Sequence, residues 1–401
     1  MTQSVTTVQM TKYEGLVLSM NSILVVMHYG TNIGYAIEPL EHTFFQMALN
    51  LVSGDQSRIH FSYTNHDKGR PRILPEGFEN IIVFDYKNPA ADLDSISDYI
   101  KTHKIDAVFG FDLPIKVKAY SMLRSSGVRH IISYYGAPMS SINKLPKLLL
   151  KKVEVALTPN KPDHFIFESE AMRQTAVNGR GVRFSNTSVV PLGVDIERYS
   201  PADDVSYYAH DLFDIPRERK IAFYSGHMQE RKGVDVIVKA GVDVVCEHGV
   251  KDLHFLFFGN KDGEEEAFSS LYRGTEAEDY ITFGGYRNDL PEIMQSCAIG
   301  TIASTGWDSF PRSAVEMAAC GLPLVVSRLQ GLVETVEEGV TGYTFVPRDF
   351  KALSQFFVKL SEDEALRKSM SAQARKRIVS GYSIEKQTEH LSQVVRQVTS
   401  L

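Results

Sequence analysis

Gly306-Trp307-Asp308-Ser309-Phe310-Pro311-Arg312-Ser313-Ala314-Val315-Glu316, running on into MAACGLPLVVS, sets two carboxylates eight positions apart across the start of a helix. A strand-like run, AIGTIAS, precedes it. Asp308 falls in the turn after that strand, Ser309 has the chemistry of a cap, Pro311 suits a first helical turn, and AVEMAAC reads as helix up to a Gly321-Leu322-Pro323 stop. A helix that begins beside Asp308 offers free N–H groups and a positive dipole end to a phosphate, and Glu316 lies roughly 8–10 Å further along at about 1.5 Å per residue. A carboxylate accepts hydroxyl hydrogen bonds better than a neutral group does, so one acid at each end suits a diphosphate flanked by two hydroxyl-bearing groups, as in a nucleotide sugar. Two acids alone also fit a plainer reading, a charge at a helix start and a solvated helix residue. The surrounding sequence decides between them.

With 401 residues the chain is long enough for two domains, each with its own core. No apolar run reaches the length of a membrane span; the nearest candidate, GLVLSMNSILVVM, is interrupted by Ser19, Asn21 and Ser22. The first dozen residues lack the basic start and apolar block of a signal peptide, and residues 1–19 read as a loose extension. Cys246, Cys297 and Cys320 have no close spacing, which gives neither a disulfide framework nor a metal knuckle, so a cytoplasmic setting is expected. Residues 1–200 carry 21 basic and 19 acidic side chains against 22 and 30 in residues 201–401, so the halves are +2 and −8. Neither has the basic footprint of a nucleic-acid binder. One local exception, Lys144-Leu-Pro-Lys147-Leu-Leu-Leu-Lys151-Lys152, admits two readings. It is either an amphipathic surface for anionic lipid, a peripheral contact at the inner face of a membrane, or a core-facing helix with a solvated lysine face.

Apolar strand-like runs alternate with helical patterns along the whole chain, the signature of parallel sheets covered by helices. SILVVMHYG, NIIVFDY, DAVFGFD, HIISYYG, HFIFES and SVVPLGV fill the first half; KIAFYSGHM, LHFLFFGN, YITFGGY, IGTIAS, PLVVSR and TGYTFV follow Pro201. The expected fold class is α/β, with two doubly wound Rossmann-like domains facing each other across a cleft. Residues 1–198 form the first, 199–381 the second and 382–401 a helix of undecided docking surface. Ser383 suits its cap, and Leu391, Val394, Val395 and Val398 follow helical spacing. In such sheets ligands bind at the carboxyl ends of the strands, so the site should lie between the domains.

On these motifs the chain resembles glycosyltransferase family 4, retaining enzymes of the GT-B fold. Asp308-Ser309-Phe310-Pro311 through Glu316 looks like the family's E-x₇-E element with Asp in the first place. GLVETVEEGVTGYTFVP resembles the stretch that follows it, and VVPLGVDIERYSP (189–201) the segment between the domains. His28-Tyr-Gly30-Thr-Asn-Ile-Gly34-Tyr35 resembles the glycine-rich loop that approaches the donor, where a residue without Cβ comes close to phosphate or sugar. In Gly226-His227-Met228-Gln229-Glu230-Arg231-Lys232-Gly233, Lys232 occupies the place of one of two diphosphate-binding cations. The other place, an arginine in similar enzymes, holds His227, and Arg231 is an alternative. Ser133-Tyr134-Tyr135-Gly136 stands where a histidine near the transferred sugar is common, so Tyr134 and Tyr135 are candidates for sugar or acceptor contact or for simple packing. His28 and Asp112 also end first-domain strands and receive no role.

The resemblance implies transfer from a nucleotide sugar to a glycan or lipid-linked acceptor with retention of configuration, in cell-surface polysaccharide biosynthesis. Asp308 would hold sugar hydroxyls and Glu316 the ribose. Lys232, His227 and the helix start at Ser309, Phe310 and Pro311 would hold the diphosphate, and Tyr286 and Arg287 would flank the base. No metal or other cofactor is expected, since Asp92-Leu-Asp94 sits among polar helix-like residues. The rivals are a synthase with a soluble acceptor and a non-catalytic partner subunit that keeps the fold. A nucleotide-sugar epimerase of similar fold would not carry the E-x₇-E-like element.

Overall fold

In the computed structural model the described residues are 20–34, 37–88 and 93–400. The loose extension expected for residues 1–19, Tyr35 and Asp92 lie outside them. The first sheet consists of β1 (Ser22–Val26), β2 (Ile59–Tyr63), β3 (Ile81–Val83), β4 (Ile105–Phe111), β5 (His130–Tyr135), β6 (His164–Phe167) and β7 (Thr187–Val189). Its spatial order is β3-β2-β1-β4-β5-β6-β7, with every pairing parallel. The second holds β8 (Lys220–Ser225), β9 (Leu253–Phe258), β10 (Ile281–Phe283), β11 (Ile299–Ile302), β12 (Leu324–Ser327) and β13 (Gly342–Phe345) in the order β10-β9-β8-β11-β12-β13. It too is parallel throughout.

Helices cover both faces, which is why central strands carry apolar residues on both, as in ILVV of β1 and FLFF of β9. In each sheet the order reverses beside the first strand, next to β1 in one and β8 in the other. That reversal opens a crevice at the carboxyl ends. All six runs anticipated after Pro201 are strands. In the first half IHFSY, β2, was not anticipated; its polar residues His60 and Ser62 are buried, and His60 Nδ1 pairs with the Tyr99 hydroxyl at 2.8 Å.

The last helix, Ile384–Thr399, is capped by Ser383, whose Oγ accepts from the Lys386 N–H. It crosses back from the second sheet and packs on the helix Glu38–Leu51 of the first. Leu391 and Val395 are fully buried there, and Val194 pairs with Ser383 where the chain crosses. Gln387 locks the joint: its Oε1 accepts from the Gly193 N–H at 2.9 Å and its Nε2 donates to the Tyr134 hydroxyl at 3.2 Å. A second contact between the domains lies at the helix starting at Glu170. Its N–H groups at Glu170 and Ala171 donate to the Glu334 carboxylate at 2.9 and 2.8 Å.

Candidate functional site

A cleft of about 670 Å³ lies between the sheets. Ile33, Gly34 and Ile37 wall it from the first domain, Arg198 and Tyr199 from the connecting segment, and the ends of β8, β9 and β11 with their loops from the second. Its size is that of a small-molecule site.

Lys232 reaches this cleft because of a glycine. The chain leaves β8, makes one tight turn at Glu230–Lys232, and enters the next helix through Gly233 at φ +65°. A Cβ at Gly233 would sit 1.9 Å from the Ala303 carbonyl oxygen, so only glycine lets the loop lie against the end of β11. Lys232 Nζ is thereby placed 2.8 Å from Asp308 Oδ2, with the aspartate buried and the lysine side chain 14% exposed. Asp308 also accepts from Ser304 Oγ at 2.7 Å, while its N–H donates to Gln330 Oε1 at 3.1 Å. A largely desolvated pair held by further hydrogen bonds keeps one geometry.

The helix after Asp308 runs Arg312–Ala319 with Pro311 as its N-cap residue. Ser309 does not cap it, contrary to expectation; its Oγ points across the domain boundary and donates to Glu168 Oε2 at 3.0 Å. Phe310 is buried and stacks on Tyr382 with centroids 5.7 Å apart, so its ring is turned from the cleft. Pro311, Arg312 and Ser313 form the wall itself. The N–H groups of Arg312 and Ser313, at the first two helical positions, have no acceptor within the helix. Glu316 lies one turn on, sharing their face, and is buried. Of the two acids of the opening motif, Asp308 lines the cleft, whereas Glu316 is buried in the helix behind it and is not among the lining residues.

His227 lines the same cleft. Its pKa is lowered, first by burial and then by the nearby cations Lys232 and Arg231. Arg231 is turned elsewhere: its guanidinium lies over the Trp307 ring, 4.7 Å from the centroid, and donates to the Trp307 carbonyl at 3.3 Å. Tyr286 and Arg287 both line the cleft, the latter tied to Asp289 through two hydrogen bonds. Gly34 sits on the wall at φ +110°, a conformation that favours glycine. Gly30 instead abuts Asn65, whose Oδ1 would lie 2.4 Å from an added Cβ.

Tyr134 and Tyr135 are not at the cleft surface, which corrects their candidacy as sugar or acceptor contacts. Tyr134 is fully buried and donates to the Val190 carbonyl at 3.2 Å, and Tyr135 packs on Phe165 and Phe167. Their strand alternates between two covered faces, so both rings are core. The sequence pattern gives Glu168 no place, yet it is the buried partner of Ser309. Burial pushes its carboxyl up to about 8, against the Ser309 hydrogen bond that lowers it. Asp112, also raised by burial, to about 6, holds φ +53° and accepts from the Gly136 N–H.

Known proteins share this fold. A glycosyltransferase from Rickettsia africae superposes with a TM-score of 0.77 over 94% of this chain and 99% of its own, at 17% identity. The fold is GT-B. A second GT-B structure, Anabaena HepE in complex with UDP-glucose, gives 0.71 over 94% and 99%, again at 17% identity. Residues 210–377 match the family model for glycosyl transferases group 1, so the matched part includes His227, Lys232, Asp308 and Glu316. The UDP-Gal:alpha-D-GlcNAc-diphosphoundecaprenol alpha-1,3-galactosyltransferase of Escherichia coli is 22% identical over 204 residues, 51% of this chain and 52% of that protein. The chain thus spans about half the length of the curated relatives it matches. Among the described residues no helix is long and apolar enough to cross a membrane.

Proposed function

We propose that this GT-B protein transfers a sugar from a nucleotide-sugar donor to a glycan or lipid-linked acceptor in cell-surface polysaccharide biosynthesis, as a member of glycosyltransferase family 4 and with retention of anomeric configuration. The observation that carries this reading is the Lys232–Asp308 pair beside the open start of the helix Arg312–Ala319, inside the interdomain cleft. The match of residues 210–377 and the lipid-diphosphate acceptor in the name of the E. coli relative support it.

In the transfer, the bond from the anomeric carbon to the diphosphate breaks while the acceptor oxygen bonds the same carbon on the same face. The acceptor's proton leaves with the diphosphate. Negative charge builds on the leaving group, and stabilising it is the protein's main task. Lys232, His227 and the N–H groups of Arg312 and Ser313 supply positive potential there without a metal ion. Asp308 takes the sugar hydroxyls and Glu316 the ribose. Tyr286 and Arg287 border the base.

A thermal-shift screen against UDP, GDP, ADP, CMP and dTDP sugars tests the reading. One nucleotide should raise Tm, and Glu316→Ala should abolish the rise; no shift with any donor would sink it.

His227 adds a pH dependence. Free, it is neutral at pH 7, because burial and two cations hold its pKa below the usual value. A bound diphosphate raises that pKa, so the extra affinity is fully present below the free value and is lost as pH rises through the bound one. In calorimetry with the intact nucleotide sugar, affinity should be highest at acidic pH and fall as pH rises through the histidine range, by ~10-fold for each pH unit by which the diphosphate raises the titration midpoint. His227→Asn should flatten the profile. A wild-type profile that is already flat would remove His227 from the phosphate site.

A further inference from the structure

The helix Leu145–Leu157 reverses the ordinary burial of an amphipathic helix. Its inner face is narrow, with only Leu148 and Val155 buried, the latter against the cluster containing Phe165 and Phe167. Leu145, Leu149, Leu150, Val153 and Leu157 face solvent instead, and Leu145, Leu150 and Leu157 are 74%, 72% and 77% exposed. At 100° per residue these five fall within an arc of ~140° lying opposite the buried pair. Lys152 borders one side of that arc and Lys147 the other, with Lys144 at the helix start and Lys151 behind Lys147. The helix has a single acid, Glu154, already engaged by Lys151 at 2.9 Å and Arg180 at 2.8 Å. Four lysines against one glutamate leave residues 144–157 at +3. Of the two readings the sequence leaves open, the core-facing one holds only for Leu148 and Val155.

We propose that this helix is an interfacial anchor, lying flat on an anionic lipid bilayer with its leucines among the acyl chains and its lysines at the headgroups. Thirteen residues, about 20 Å, are too short to span a bilayer but suit an element lying in its surface. Lysine stems can run along apolar surface while their charges stay at the lipid phosphates. Charge decides against a second copy as occupant, since pairing two such faces sets +3 against +3. The helix follows the carboxyl end of β5, the cleft side of its sheet, so docking brings the cleft towards the lipid surface. Binding through this face does not depend on the chemistry of the cleft.

Flotation of the full chain with phosphatidylcholine vesicles, with and without about one third phosphatidylglycerol, tests it. Wild type should float with the anionic vesicles only. Leu149→Ser/Leu150→Ser/Val153→Ser should stay at the bottom with an unchanged Tm, because all three side chains are exposed. Lys147→Gln/Lys152→Gln should partition roughly 30-fold less, at ~1 kcal/mol per lysine. Wild type that ignores both vesicles overturns the proposal, as does a serine variant that floats like wild type. A concentration-dependent dimer in sedimentation velocity that the serine variant loses would assign the face to self-association and also overturn it. Donor-induced thermal shifts should be the same in all three proteins, which separates failure here from failure of the transfer reading.

Discussion

Lys232→Ala should lower the rate of sugar transfer by on the order of 10²-fold or more, the loss of ~3 kcal/mol of transition-state stabilisation. The reason is positional. Lys232 is the one lysine on the cleft wall among the described residues, and its neighbours in the same loop do not replace it: Arg231 is held on Trp307 and His227 is neutral at pH 7. Its removal also strands a carboxylate, because Asp308 keeps only the Ser304 hydroxyl and would hold an uncompensated charge in a site 6% exposed. Breaking a buried pair from one side costs about 3–5 kcal/mol, and the open cleft moves this case towards the low end. Lys232→Met/Asp308→Asn separates the two effects. With both charges gone it should recover most of the lost stability in a denaturant melt and remain inactive. A folded Lys232→Ala protein with wild-type single-turnover rates would refute the site assignment.

Glu316→Ala should cost a comparable ~10²-fold, by a different route. Glu316 lies behind Arg312 and Ser313 on the same helical face and is buried, so under the proposed transfer its part would be to hold a hydroxyl rather than to steer charge from solvent. The informative measurement is a double cycle with a donor lacking one ribose hydroxyl. Wild type should discriminate against that donor, and Glu316→Ala should treat it and the parent donor nearly alike, since each change removes the same hydrogen bond. Fully additive losses would mean that Glu316 holds something other than the ribose.

Legibility in the sequence followed burial. The strands of the second sheet are mostly apolar and stood out as runs. β2 hid because alternate residues of its five, His60 and Ser62, are polar though buried, which leaves it no apolar run. At the site, Lys232 and Asp308 meet because local geometry brings them together, a strand end, a tight turn and a helix start, while Glu316 is buried off the cleft lining. What failed depends on distant partners. Ser309 had a cap's chemistry but meets Glu168, 141 residues away. Tyr134 had a hydroxyl suited to a sugar, but Gln387 from the last helix takes it. In the lysine-leucine helix the sequence pattern holds two apolar faces, and periodicity alone does not say which one meets the sheet.

The return of the chain to its first domain sets the kind of motion the cleft can make. Two covalent strands, not one, pass between the lobes, and they are stitched side by side where Val194 meets Ser383. A single tether would let one lobe both swing and twist against the other. Paired tethers act like the pin of a door, so opening proceeds about the line they define, and the lining most distant from that line travels furthest.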